Sequence, residues 1–181
     1  MESMVTRLAL SVGPARFALL FALGFGAQFA AFETTRGSAF ENVVIHDLTL
    51  LPTAGLVNHL LPHEALTVEG HTLVSPGSRL NVTRGCEGVE MAMLWVAAIF
   101  AFPATAAQRA RGLAWGLMLS YGLTVARLIA LHLTLRYSPR AWDLLHGLVL
   151  PLGPIICMAF FFLHWSGRCG HYSDITPLHA A

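Results

Sequence analysis

Apolar positions along this chain fall into four long runs, and the polar positions gather between the first and the second. The first run, about residues 13–32, is nearly unbroken from Phe17 to Phe32 and is preceded by Arg7 and Arg16. Its length matches the roughly 20 residues that one helix needs to cross a bilayer core. Ala27 and Ala30 near its end would also suit a signal peptide, but the length favours an uncleaved anchor. The other runs cover about 89–104, 112–135 and 142–165. Pro103 closes the second, Arg127 interrupts the third, and Trp142 and Trp165 frame the fourth as interfacial aromatics do. Each is expected to be a transmembrane helix.

Between the first two runs the pattern changes twice. Residues 33–65 mix apolar positions with Glu33, Arg36, Glu41, His46, Asp47, His59, His63 and Glu64, and Pro52 and Pro62 break the stretch. A charge at the centre of a spanning helix costs about 2.5–3.5 kcal/mol on insertion scales, so this segment is expected to be a helix on, or dipping into, the interface. Residues 66–83 alternate apolar and polar positions around Ser75-Pro76-Gly77-Ser78, which predicts a short β-hairpin in water. The expected fold is therefore all-α integral membrane: one membrane domain over 1–181, about four transmembrane helices, a short extracytoplasmic β-hairpin and an interfacial helix.

Composition agrees. Of 181 residues, 55% are hydrophobic and only 12% charged, about half the charge of a soluble domain, so lipid is expected to solvate much of the chain. A net charge of +1 with no basic stripe gives no case for nucleic acid. With four spans, Arg7, Arg16, Arg109, Arg111 and Arg168 share one side, which the positive-inside rule makes cytoplasmic, against Arg136 and Arg140 on the other. Segment 33–88 is then extracytoplasmic and 166–181 a cytoplasmic tail.

That topology brings three reactive residues to similar depth. Cys86 lies just outside the second span. Arg127 lies about 15 residues, or about 23 Å, up the third. His146 lies in the first turns of the fourth. An arginine inside a span is costly and ordinarily faces a cavity or a partner; the structural alternative is a pairing with Glu87 or Glu90. Ser120 and Thr124 share its helical face. Of the three cysteines, Cys157 sits in an apolar run and Cys169 in the polar tail, whereas Cys86 lies between Arg84 and Glu87, flanked by Gly85 and Gly88. A nearby guanidinium favours the thiolate, the nucleophilic form. Among nine histidines, His146 has Asp143 three residues earlier, placed to orient it, and a thiol nucleophile needs a base within reach. No close His/Cys spacing of the zinc-binding kind is present.

The run Thr83-Arg84-Gly85-Cys86-Glu87-Gly88-Val89-Glu90 resembles the cysteine signature of the exosortase/archaeosortase family. Ala101-Phe102-Pro103-Ala104, Ala126-Arg127-Leu128-Ile129 and Tyr137-Ser138-Pro139 with His146 continue the resemblance over roughly residues 66–165, most like the exosortase H branch. It implies a cysteine transpeptidase or protease of the inner (plasma) membrane, without cofactor or metal, with its site on the extracytoplasmic side. Cys86, Arg127 and His146 take the family's catalytic positions; Arg84, Glu87, Glu90, Thr124 and Asp143 support them or bind substrate. The implied partners are exported proteins with a C-terminal sorting signal of the IPTL-CTERM kind: a short motif, a transmembrane helix and a basic tail. Thr124 departs from the asparagine that relatives often carry three residues before the arginine. Two readings from other classes remain: a haem- or quinone-binding bundle using His132, His146 or His164, and a non-enzymatic membrane subunit in which Arg127 is a structural ion-pair partner.

Overall fold

A computed structural model describes residues 13–173; Arg7 and the last part of the expected tail, 174–181, lie outside the described residues. The chain is mostly helical, with one small sheet.

Helix α1 (Pro14–Glu33) starts on a proline in its first turn, where the missing amide costs no helical bond. Phe17, Phe21, Phe25 and Phe29 recur every fourth residue and stack with centroids 6.0–6.4 Å apart. A short helix α2 (Ala39–Asn42), capped by Ser38, runs without a break into a π-helical stretch, Val43–Leu50, and then helix α3 (Leu51–Leu60). Pro52 has no amide to give the carbonyl of Leu48, four residues back. The Tyr121 hydroxyl donates to that carbonyl instead, at 2.9 Å. The expected interfacial segment is thus a broken helical rod that keeps Val43, Leu48, Leu51 and Leu60 exposed and buries Ile45, Leu50, Ala54 and Val57.

The expected hairpin is a three-stranded antiparallel meander: β1 (Thr67–Glu69), β2 (Thr72–Ser75) and β3 (Ser78–Asn81). The extra strand arises because Gly70, at φ +59°, turns the chain between the first two alternating runs, while Pro76-Gly77 turns it between the second and third, with Gly77 at φ +95°. Leu73 pairs with Leu80 across the sheet, and both are buried.

Three helices are long and apolar enough to cross a membrane: Pro14–Glu33, Ala106–Tyr137 and the helical stretch Pro139–Cys169. The fourth expected span, 89–104, is helix α4 (Val89–Ala101), whose 13 residues rise only about 20 Å against a core of about 30 Å. It stops there because Phe102 precedes Pro103 and is forced to extended backbone, φ −84°, ψ 137°. Helix α5 (Ala106–Tyr137) opens on a capping box, Thr105 and Gln108 each satisfying the other's amide. At 32 residues, about 48 Å, it is longer than a bilayer core is thick. Helix α6 (Trp142–Leu144), a π-helical stretch Leu145–Val149 and helix α7 (Leu150–Ser173) complete the chain.

Helix α5 serves two cores. Its first half joins Trp95 and Ile99 of α4 and Met158 and Trp165 of α7. Trp95 lies against Gly116 and donates to the Gly112 carbonyl at 3.0 Å. Its last turns place Leu128 and Leu131 under Leu73, Leu80 and Val82 of the sheet segment and Ile45, Leu50 and Val57 of the rod. Large apolar side chains on the outer faces of α1, α5 and α7, such as Leu23, Trp115 and Phe160, are exposed, as befits helices solvated by lipid.

Candidate active site

The link between β3 and α4 is a pair of glycine turns. The Cys86 amide donates to the Thr83 carbonyl at 3.0 Å, with Gly85 between them at φ +87°. Gly88, the residue capping α4, has φ +80°. Both values favour glycine. At Gly88 the reason is also steric, since a Cβ there would lie 1.9 Å from the Thr124 hydroxyl oxygen. The loop therefore seats its backbone directly on α5, one turn below Arg127.

Arg127 reaches back to this loop. One terminal nitrogen donates to the Gly85 carbonyl at 3.3 Å, and the other lies 4.0 Å from the Cys86 sulfur. Its Nε is buried without a partner. Among the described residues no carboxylate pairs with it: Glu87 and Glu90, the partners a purely structural role would use, form no ion pair with Arg127. Thr124 spends its hydroxyl proton on the Ser120 carbonyl at 3.0 Å and packs against Gly88; it is a spacer between loop and helix.

Arg84, expected beside the thiol, is committed elsewhere. It bonds Glu41, lies 3.5 Å from Glu33, donates to the Phe32 carbonyl at 3.1 Å and to Thr35 at 3.2 Å, and stacks over the Phe32 ring. The guanidinium that meets the sulfur is thus Arg127, while Arg84 ties the loop to the end of α1 and holds the Glu41 carboxyl below its ordinary pKa. Glu87 is 4% exposed and neither of its carboxylate oxygens has a hydrogen-bond partner. Burial, reinforced by the nearby Glu90, pushes its carboxyl above the usual range. Glu90, in the first turn of α4, keeps its carboxylate beside Gly85.

His146 is half-buried in the π-helical stretch that precedes α7. Pro151 and Pro154 just beyond withhold two amides from the helix, which accounts for the local loosening. Its ring stacks on Trp142, centroids 4.9 Å apart and planes 8° off parallel. Asp143, expected to orient it, is exposed and makes no hydrogen bond to the imidazole. Among the described residues no hydrogen bond joins His146 to Cys86 or Arg127, although Cys86 and Trp142 pack against the same core. The sequence reading missed Trp142 as the partner; its i, i+4 spacing was the available signal.

His132 is fully buried with its Nε2 3.1 Å from Glu64, which also accepts from Tyr137 and lies 3.1 Å from Arg136. Comparison with family models, with curated proteins and with solved structures returns no match.

Proposed function

We propose that this chain is a membrane-embedded cysteine peptidase or transpeptidase of the exosortase kind, cleaving C-terminal sorting signals of exported proteins. The observation that carries the reading is the Arg127 fork. An intramembrane arginine without a carboxylate partner, one nitrogen on the thiol-bearing loop and one toward the sulfur, suits the charge of a thiolate and of the oxyanion it creates. Cys86 passes its proton to His146 and its sulfur attacks the peptide carbonyl, forming a C–S bond. The C–N bond then breaks, and the leaving amine takes that proton from His146. Water or an acceptor amine, giving its proton to His146, attacks the thioester; the C–S bond breaks and the proton returns to the Cys86 sulfur. In the bound complex His146 meets the leaving nitrogen; catalytic hydrogen bonds commonly tighten only there. The edge strands β1 and β3 are where the extended recognition motif would pair its main chain, and the exposed apolar faces of the spans receive its helix.

The extracytoplasmic side is proposed from the arginines that flank the apolar helices: Arg16, Arg109, Arg111 and Arg168 fall at the end away from the thiol, against Arg136 and Arg140 at the thiol end.

The test is a co-expressed reporter carrying a C-terminal sorting signal, compared among wild type, Cys86→Ala, Arg127→Ala and His146→Ala at matched membrane levels. Shortening by wild type, abolished in Cys86→Ala and reduced at least about 100-fold in the other two, is the expected result. Equal processing by wild type and Cys86→Ala would remove the nucleophile and return the chain to a binding or structural role.

A further inference from the structure

One cavity lies far from the thiol. It occupies about 580 Å³ where the start of α5 meets the end of α7, and its lining includes Arg111, Trp115, Phe161, His164, Trp165 and Arg168. From Arg111 to Arg127 the helix rises about 24 Å, so this cavity opens at the opposite membrane surface from Cys86. Its chemistry is two-sided. Phe161 and Trp165 form an apolar wall continuous with the core around Trp95. Arg111, His164 and Arg168 form the other wall, and all three are exposed.

At the thiol end Arg79, Arg84 and Arg136 each have a carboxylate partner, but here the balance differs. Among the described residues no carboxylate lines the cavity, and neither Arg111 nor Arg168 forms an ion pair. The α5 N-terminus, with Thr105, Ala107 and Gln108 on the lining, adds the positive end of a 32-residue helix. A second, shallower depression shares His164 and Arg168 and extends past Gly167 to Leu163, which is exposed on the lipid-facing side of α7. Trp115 is likewise exposed at the rim.

We infer that this cavity binds the phosphate headgroup of an anionic phospholipid from the leaflet opposite the thiol. Two guanidiniums and an imidazole meet the phosphate, the tryptophans sit at the depth of the glycerol backbone, and an acyl chain follows the Leu163 side of α7. A soluble anion would find the same cations, but it would leave the aromatic wall and the lipid-facing groove unused. The basic tail of a sorting-signal substrate would be repelled. The inference is independent of the thiol chemistry and stands or falls without it.

The experiment uses the full chain in a neutral detergent. Native mass spectrometry and thermal unfolding are read with phosphatidylglycerol, with phosphatidylcholine and with free glycerol 3-phosphate. Wild type is expected to retain phosphatidylglycerol selectively and to unfold at higher temperature with it. Arg111→Gln/Arg168→Gln, whose side chains are exposed and not needed for packing, is expected to lose about tenfold or more in retention. Arg16→Gln removes a charge near the same surface but outside the cavity, and is expected to bind as wild type does. Equal retention of the two lipids by wild type would overturn the inference. So would unchanged binding in the double variant, or an equal loss in Arg16→Gln, which would mean unspecific surface attraction. Full stabilisation by glycerol 3-phosphate would reassign the cavity to a soluble phosphate ester.

Discussion

Glu87 sits beside the candidate nucleophile with a buried carboxyl and no hydrogen-bond partner for either oxygen. A carboxyl whose proton is held more tightly in the folded chain than in the unfolded one stabilises the fold at low pH. That contribution is lost as pH rises from the ordinary carboxylate value through the raised native one. Glu87→Gln, isosteric and neutral, removes the dependence. Thermal unfolding of the two proteins should coincide near pH 4.5, and the variant should become the more stable as pH rises toward 8. A wild type that gains on the variant with rising pH would mean the carboxylate is satisfied after all. Glu64 runs the other way. Its side chain is fully covered, and Tyr137, then His132, then Arg136 hold its carboxyl below the ordinary value. Its stabilisation is present at neutral pH and fades as pH falls below about 4.5. Glu64→Gln should cost about 3 kcal/mol at pH 7, because Arg136 and His132 lose a charged partner. The gap should close in acid, as followed by tryptophan fluorescence. At this scale the sequence made Cys86 and Arg127 legible, since a thiol between glycines and a charge inside an apolar run are local signals. It misassigned Arg84 and Asp143, whose roles depend on which neighbour the folded chain supplies.

The helices meet through small residues. Lipid offers no hydrophobic driving force between spans, so close packing must hold them. Gly116 is where this is tightest, since a Cβ there would fall 1.9 Å from the Trp95 ring. Gly116→Ala should destabilise the fold by about 1–3 kcal/mol and displace α4, and with it the Cys86 loop. The expected readout is a lower unfolding temperature together with loss of any Cys86-dependent processing. Gly122 sits in the same helix, and a Cβ there would meet nothing within 4 Å, so Gly122→Ala is the control that should leave both unchanged. Element boundaries were readable wherever a local device sets them: the Thr105 cap, the Phe102-Pro103 stop and the Pro76-Gly77 turn. The first π-helical stretch, Val43–Leu50, was not, because the donor that Pro52 takes from Leu48 is replaced by Tyr121, 73 residues away.

The whole molecule is organised around α5. Its first half is shared with α4 and α7 among aromatic side chains, and its last turns carry the sheet and the broken rod. The Cys86 loop is fixed at the junction of these two regions, with Cys86 and Arg127 both partly exposed. The same helix presents Arg111 to the cavity at the far end. Hydropathy along the chain was sufficient to determine that it carries helices long and apolar enough to cross a membrane, and that a polar, partly β segment interrupts the apolar runs, because each of these depends on burial preferences averaged over many neighbouring residues. Only the tertiary structure decided that Arg127, and not Arg84, meets the sulfur, and that Arg84 turns instead to Glu41 and the end of α1. These pairings join residues some 40 or more apart in sequence and are fixed by side-chain packing that no local pattern encodes.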